Sequence, residues 1–210
     1  MPVRKPKKNY RSLTGAFYSL KNKKSIFFES KLERDFFLTL EFNTDVTSYE
    51  EQPMEFSYQY NNRSYRYTPD CIVNFKNLSS TVYEVKYSNE LREKEAFFKH
   101  KFTQIDKFLN HKDIAFKIYS ELDTKPIVLE NMHFIYNYVT ITDSLKSAIL
   151  FDKVKDIHSI NYLALLNKLS NDKYTQAEYI PYIWYLVLIN KLQIDFTKKI
   201  SNATILKVVT

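Results

Sequence analysis

Three side chains, Asp70, Glu84 and Lys86, have the types and spacing that phosphodiester hydrolysis requires. Glu84 and Lys86 lie in a run, residues 81–87, that predicts a β-strand, so the two side chains share one face. Asp70 follows a proline fourteen residues before Glu84, a separation at which a hairpin can bring the two carboxylates together. Carboxylates of this kind bind Mg²⁺ or Mn²⁺, and a lysine beside them holds or activates the attacking water. The sequence therefore predicts a metal-dependent phosphodiesterase site.

A predicted helix over residues 30–42 supplies a further carboxylate, Glu33. Ser30 and Glu33 form a Ser-x-x-Glu capping box at its start. Glu33 also falls within the apolar arc of the helix, which consists of Leu32, Phe36, Phe37 and Leu40. Glu33 either only closes the cap or points inward at a metal, and we favour the second interpretation. Asp35 and Glu41 fall outside the arc and are predicted to be surface acids.

The order Pro-Asp, then Glu-x-Lys, resembles the signature of the PD-(D/E)xK nuclease superfamily. Alone the pattern is weak, because an acid and a lysine on one strand face usually form a solvated ion pair. Further ordered blocks across residues 10–138 make the resemblance more specific, because together they resemble TnsA, the endonuclease subunit of Tn-seven-like heteromeric transposases. The blocks are 14–15 (TG) with 19–21 (SLK), 28–36 (FESKLERDF), 46–53 (VTSYEEQP), 65–73 (YRYTPDCIV) and 83–86 (YEVK).

The resemblance implies that Glu33, Asp70 and Lys86 occupy the catalytic positions of the TnsA family. Some members carry Gln where this chain has Glu84, and the Glu completes the superfamily signature here. We predict that Asp70 and Glu33 bind Mg²⁺ or Mn²⁺, together with Glu84 or the main-chain carbonyl of Val85. Lys86 is predicted to position the water or to stabilise the developing charge.

The resemblance further implies cleavage of the 5′ strands at transposon ends, while a separate DDE transposase, TnsB, cuts and joins the 3′ ends. It also implies that an AAA+ ATPase, TnsC, binds this subunit. Two alternatives stay open: a stand-alone restriction- or repair-type nuclease of the same superfamily, and a non-enzymatic DNA-binding adaptor with a decayed site. The intact Asp70, Glu84 and Lys86 argue against decay.

The net charge of +7 is concentrated at one end of the chain. Residues 1–28 contain eight Lys or Arg and no acid, whereas the remainder contains 23 basic and 24 acidic side chains. A basic N-terminal arm suits contact with a DNA backbone, and a disordered solubilising tail is the alternative. Gly15, the only glycine, is expected to need a positive φ or a close backbone approach. The predicted DNA-binding residues are Arg4, Lys5, Lys7, Lys8, Arg11, Lys21, Lys23 and Lys24.

The predicted fold class is α/β, with a restriction-endonuclease-like core over residues 29–138. Its strands are expected at 55–60, 64–67, 71–75, 81–87 and 115–120. Asn61-Asn62 is a plausible hairpin turn between the first two strands. Asn89 is expected to cap a long helix over about 90–110. The polar faces of that helix are assigned to Arg92, Lys94, Lys99, Lys101 and Lys107.

Residues 139–210 are predicted to form a small winged-helix-like helical domain that docks onto another transposition protein. Residues 144–170 look helical, and a second helix over 175–192 begins with a possible capping box at Thr175 and Glu178. Pro181 falls in the first turns of that helix, where proline is tolerated. Short β-like runs follow at 192–196 and 204–209.

Other functional classes find little support in the sequence. Cys71, the only cysteine, is predicted to be a buried strand residue rather than a nucleophile. The histidines lack the spacing of a zinc site, and a single glycine excludes Gly-rich phosphate loops. There is no apolar run long enough to span a membrane and no apolar stretch typical of a signal peptide at the start. We therefore expect a bacterial cytoplasmic protein that associates with the nucleoid when active.

Overall fold

The computed structural model describes residues 13–60, 63–141 and 144–209. The chain divides into two compact units, Met1–Thr124 and Lys125–Thr210. This division lies earlier than the predicted boundary between residues 138 and 139. The reason is that the helix Pro126–Tyr136 packs against the helix Lys173–Leu188 of the second unit.

The elements of the first unit alternate between strands and helices, as the α/β prediction requires. In chain order they are β1 (Gly15–Ser19), β2 (Lys24–Phe28), α1 (Lys31–Phe42), β3 (Val46–Glu51), β4 (Phe56–Tyr60), β5 (Arg63–Tyr67), β6 (Cys71–Phe75), β7 (Ser80–Val85), α2 (Ser88–Glu93), α3 (Glu95–Asn110) and β8 (Ala115–Tyr119). The predicted turn residues Asn61 and Asn62 lie outside the described residues, between the paired strands β4 and β5.

A four-stranded sheet in the order β3-β6-β7-β8 organises this unit. The pairs β3–β6 and β6–β7 are antiparallel, whereas β7 and β8 are parallel. Cys71 is paired with Tyr83 across β6 and β7. Continuing this antiparallel register places Asp70, just before β6, beside the end of β7 that leads to Lys86. The turn between β6 and β7 thus brings together the carboxylates that the sequence separates.

The two faces of the sheet are covered by different elements. On one face, α1 and the β1–β2 hairpin bury a cluster around Phe36, Phe37 and Tyr49. On the other face, α3 and the β4–β5 hairpin bury a second cluster around Ile105 and Tyr67. Within β7, Val85 belongs to the first cluster and Val82 to the second, which is the alternation expected of a strand buried on both faces.

The β1–β2 hairpin changes the interpretation of the basic N-terminal arm. Residues 15–28 form two antiparallel strands whose Ile26 and Phe28 enter the core, so this part is a packed hairpin and not a free arm. Gly15 is explained by close approach: a Cβ there would lie 2.7 Å from Cζ of Phe28, and its φ is not positive. Arg4, Lys5, Lys7, Lys8 and Arg11 lie outside the described residues.

The same hairpin corrects the prediction that Asp35 and Glu41 are surface acids, because both are buried. Glu41 accepts hydrogen bonds from Oγ of Ser19 at 2.5 Å, the amide of Leu20 at 3.0 Å and the hydroxyl of Tyr49 at 2.7 Å. Asp35 is bound by the guanidinium of Arg34 at 3.0 Å. The apolar arc of α1 marks only the side that faces the sheet, and β1 covers an additional side.

The helix predicted over residues 90–110 is divided into α2 and α3 at Lys94. Tyr87, and not Asn89, is the N-cap residue of α2. The apolar residues Phe98, Ile105 and Leu109 of α3 face the core as the helical spacing predicted. The strand containing Glu84 ends at Val85, so Lys86 follows it directly, and its amide donates to the carbonyl of Tyr119.

The second unit combines helices with a small antiparallel sheet. Its elements are α4 (Pro126–Tyr136), a 3₁₀ turn (Asn137–Thr140), α5 (Ser144–Val154), β9 (Ser159–Asn161), α6 (Tyr162–Leu169), α7 (Lys173–Leu188), β10 (Leu192–Gln193) and β11 (Ile205–Val208). β11 lies between β10 and β9, antiparallel to both. In the core of the unit, Trp184 of α7 contacts Phe134 and Tyr162.

Two helix predictions in this unit are wrong in detail. Residues 144–170 do not form one helical stretch, because β9 separates α5 from α6. The cap of α7 is Asp172, whose carboxylate accepts from the amide of Thr175 at 2.7 Å, so Thr175 is not the start of the helix. Pro181 therefore lies inside α7 rather than in its first turns. Among the described residues, none of the helices has the length and apolar character needed to cross a membrane.

Candidate active site

Glu33 closes the predicted capping box of α1. The hydroxyl of Ser30 accepts from the amide of Glu33 at 3.1 Å, and Glu33 in return accepts from the amide of Glu29 at 2.8 Å and from Ser30 Oγ at 3.0 Å. Burial raises the pKa of Glu33, while these hydrogen bonds and the charge of Lys86 oppose the increase. The cap and a position near the site are therefore compatible, because Glu33 lies within the electrostatic reach of Lys86.

Asp70 is held at the open end of the β6–β7 pair. Its Oδ2 accepts from the amide of Val85 at 2.7 Å and from Nζ of Lys86 at 3.2 Å. Among the described residues, its Oδ1 receives no hydrogen bond. Burial and the neighbouring carboxylates of Glu84 and Glu33 raise the pKa of Asp70 to about 7, although Lys86 opposes this. The site therefore places more negative charge around Asp70 than Lys86 alone neutralises.

Glu84 is the most deeply buried member of the site, with 1% of its surface exposed. Its Oε2 accepts from the hydroxyl of Tyr67, and its Oε1 lies 2.8 Å from Nζ of Lys101 and 3.3 Å from Nζ of Lys86. Burial opposes its charge, but the two ammonium groups outweigh burial and lower the pKa of Glu84. Glu84 is therefore an ionised carboxylate whose two oxygens are both engaged by protein donors.

Lys86 lies between the two carboxylates, as its predicted position on the face of Glu84 requires. Its Nζ contacts Oδ2 of Asp70 and Oε1 of Glu84, and it donates to the carbonyl of Val85 at 3.0 Å. Burial disfavours the ammonium, but Asp70 and Glu84 raise the pKa of Lys86 above its ordinary value. In this arrangement Lys86 is a fixed cation that can orient a water or a phosphate oxygen.

The oxygens around Asp70 suit a hard cation such as Mg²⁺. Asp70 offers Oδ1, and the Val85 carbonyl lies at the same strand end. A cation there would relieve the repulsion among Asp70, Glu84 and Glu33 that burial intensifies. Within the described residues, however, no three His, Cys, Asp or Glu side chains are already grouped as a metal site.

Two residues of the site were missed by the sequence interpretation. Lys101 was assigned to a polar face of its helix, yet it binds Glu84 and its side chain is only 11% exposed. A signal existed, because Lys101 is three residues after Phe98 and four before Ile105, at the margin of the apolar arc. Tyr67 lies in the quoted block that contains Asp70 but was given no role. Burial and Glu84 raise the pKa of Tyr67, so it remains a hydrogen-bond donor.

Other candidates from the sequence fall into two groups. Cys71 is fully buried beside Asp70, where burial raises the pKa of its thiol, as suits a core residue rather than a nucleophile. Lys21 donates to the carbonyl oxygens of Asn43 at 2.8 Å and Val46 at 2.6 Å, and burial lowers its pKa. Lys23 and Lys24, at the turn of the β1–β2 hairpin, are exposed.

An α/β domain that gathers carboxylates and a lysine at the ends of adjacent strands has the architecture of a nuclease. Residues 43–121 of this chain match the family described as TnsA-like endonuclease N terminal. This region is therefore a TnsA-like endonuclease domain, and it contains Asp70, Glu84, Lys86 and Lys101, whereas Glu33 precedes it. A comparison with curated proteins found no match.

Proposed function

We propose that this protein is a divalent-metal-dependent DNA endonuclease that cuts the 5′ strands at transposon ends during cut-and-paste transposition. The observation that supports it most strongly is the contact of Lys86 with both Asp70 and Glu84, inside the region that matches the TnsA-like endonuclease family. A cation held between two carboxylates would have no evident structural need for a neighbouring carboxylate, Asp70, with an oxygen left available.

Asp70 would hold the metal, together with the Val85 carbonyl and with Glu33 or Glu84. When bound, Mg²⁺ or Mn²⁺ would polarise the scissile phosphate. Lys86, kept charged by its two carboxylates, would orient the attacking water or stabilise charge that develops on the phosphate. Glu84, whose oxygens are already engaged, would chiefly fix the position of Lys86.

DNA binding would rest on the basic N-terminal segment. Lys23 and Lys24 are exposed on the β1–β2 hairpin and could contact phosphates, as could the basic residues at positions 4–11. Lys21 suits this role less well, because its ammonium binds the carbonyls of Asn43 and Val46.

The second unit would dock onto partner proteins of the transposition system. Its order of α5, β9, α6, α7 and the β10–β11 pair is that of a winged-helix domain, in which strands close around a helical core. We propose contacts with a TnsC-type ATPase and joint action with a TnsB-type DDE transposase in the bacterial cytoplasm. Cutting of the 5′ strands here and of the 3′ strands by the transposase would together release the element from its donor.

The test is nicking of labelled transposon-end DNA in Mg²⁺, with and without the cognate transposase and ATPase. We expect 5′-strand cuts that require the partners and the metal and that are lost in Asp70→Ala and Lys86→Ala. Cutting of any DNA by the protein alone would instead indicate a stand-alone nuclease. Metal-independent DNA binding without cutting would indicate an adaptor. Cuts that persist in Asp70→Ala would show that the proposed site is wrong.

A further inference from the structure

Lys101 lies within the active site although the proposed function gives it no role. It comes from α3, on the opposite side of Glu84 from the strand end that carries Lys86. Its Nζ is 2.8 Å from Oε1 of Glu84 and 4.2 Å from the centre of the Tyr67 ring. A lysine this buried is rare in proteins unless it is paired.

We propose that Lys101 is a positioning residue that, through Glu84, holds Lys86 in place for DNA cleavage. The inference rests on the proposed nuclease function. Lys101 itself touches neither Asp70 nor the open end of the β6–β7 pair in the described contacts, so it acts through its neighbour.

The distances show how the charges are shared. Glu84 is closer to Lys101, at 2.8 Å, than to Lys86, at 3.3 Å, so Lys101 neutralises most of its charge. Lys86 is thereby left to contact Asp70 at 3.2 Å and the Val85 carbonyl at 3.0 Å. Without Lys101, the buried Glu84 would have Lys86 as its only ammonium partner among these residues and would draw it away from Asp70.

Tyr67 fixes the geometry of this pair from both sides. Its hydroxyl donates to Oε2 of Glu84, while the face of its ring lies beside the ammonium of Lys101. A cation over an aromatic ring is attracted to it, more strongly when both are removed from water. Glu84, Lys101 and Tyr67 thus form a closed triangle that leaves Glu84 little freedom to move.

The test compares steady-state nicking by four variants under conditions in which the wild type is active. Lys101→Met keeps the length of the side chain and removes its charge, and we expect kcat to fall by about 10–100-fold with KM for DNA nearly unchanged. Lys101→Arg, which retains the charge, should recover most of the rate. Lys99→Met, an exposed lysine on the same helix, is the matched control and should keep the wild-type kcat.

The double variant Lys101→Met with Glu84→Gln separates positioning from packing. A neutral amide at position 84 needs no counter-ion, so the double variant should cut faster than Lys101→Met alone and unfold at a higher temperature. A wild-type kcat in Lys101→Met would overturn the proposal, and so would a loss that neither Arg nor the second substitution recovers. If the wild type cuts no DNA, the proposed function and this inference both fail; a normal wild type with an unaffected Lys101→Met rejects only the inference.

Discussion

Two buried glutamates of the nuclease unit, Glu41 and Glu84, have opposite surroundings. Glu41 accepts from Ser19, the Leu20 amide and Tyr49, all neutral donors, which fasten the β1–β2 hairpin to α1 and β3. Glu84 also has a tyrosine, but its other partners are two ammonium groups. A buried carboxylate satisfied by neutral donors stabilises the fold, whereas one satisfied by cations also fixes where those cations lie.

The largest effect on stability is expected at the ionic site. Glu84→Ala leaves Lys101 buried without its closest counter-ion, and removing one partner of a buried pair costs about 3–5 kcal/mol. Urea unfolding would measure the loss. Adding Lys101→Met should recover much of it, and a Glu84→Ala protein as stable as the wild type would show that the pair carries no such charge.

The pH dependence of stability should also mark the ionic site. Because the pKa of Asp70 is raised from 3.8 to about 7 on folding, the folded state binds the extra proton. The favourable contribution of this proton is complete below pH 4 and is lost as the pH rises to about 7. In metal-free buffer, Asp70→Asn should therefore gain about 2–4 kcal/mol relative to the wild type between these pH values. A difference that stays constant with pH would contradict the assignment.

At the neutral site, Glu41→Ala should destabilise the protein without changing the chemistry. Ser19, Leu20 and Tyr49 lose a shared acceptor, and unsatisfied buried donors make a cost of about 2–3 kcal/mol reasonable. Guanidinium unfolding gives the stability, and nicking per folded molecule should equal that of the wild type. Loss of nicking in fully folded protein would remove the distinction between the two glutamates.

The smallest effect is expected where the hairpin that carries Ser19 packs on the core. Gly15→Ala places a Cβ 2.7 Å from the ring of Phe28, and overpacking of this kind costs about 1–2 kcal/mol. Leu13→Ala, at an exposed position of the same segment, is the control and should leave the melting temperature nearly unchanged. Equal melting temperatures for Gly15→Ala and the wild type would show that the hairpin adjusts freely.

The comparison also shows what the sequence could and could not reveal. Alternation along β7 placed Glu84 and Lys86 on one face, and the capping box placed Glu33 at the start of α1, because both follow from local backbone geometry. The burial of Glu41 depends on Ser19 and Tyr49, which come from separate strands, and no periodicity within α1 records them.

Lys101 illustrates the same limit from the other side. Its place at the margin of an apolar arc was visible, but its partner Glu84 lies on a strand seventeen residues earlier. A lysine at such a margin usually extends to solvent. Only the packing of α3 against β7 and the β4–β5 hairpin converts it into part of the site.

The most direct test of the account compares Asp70→Asn with Glu41→Gln in strand-mapped nicking of transposon-end DNA, with Mg²⁺ and the partner proteins present. Rates are expressed per folded molecule, so that stability does not enter. The account predicts no 5′-strand cuts by Asp70→Asn and wild-type cutting by Glu41→Gln. Cutting by Asp70→Asn at the wild-type rate would contradict the central claim that the Asp70, Glu84 and Lys86 cluster is the active site.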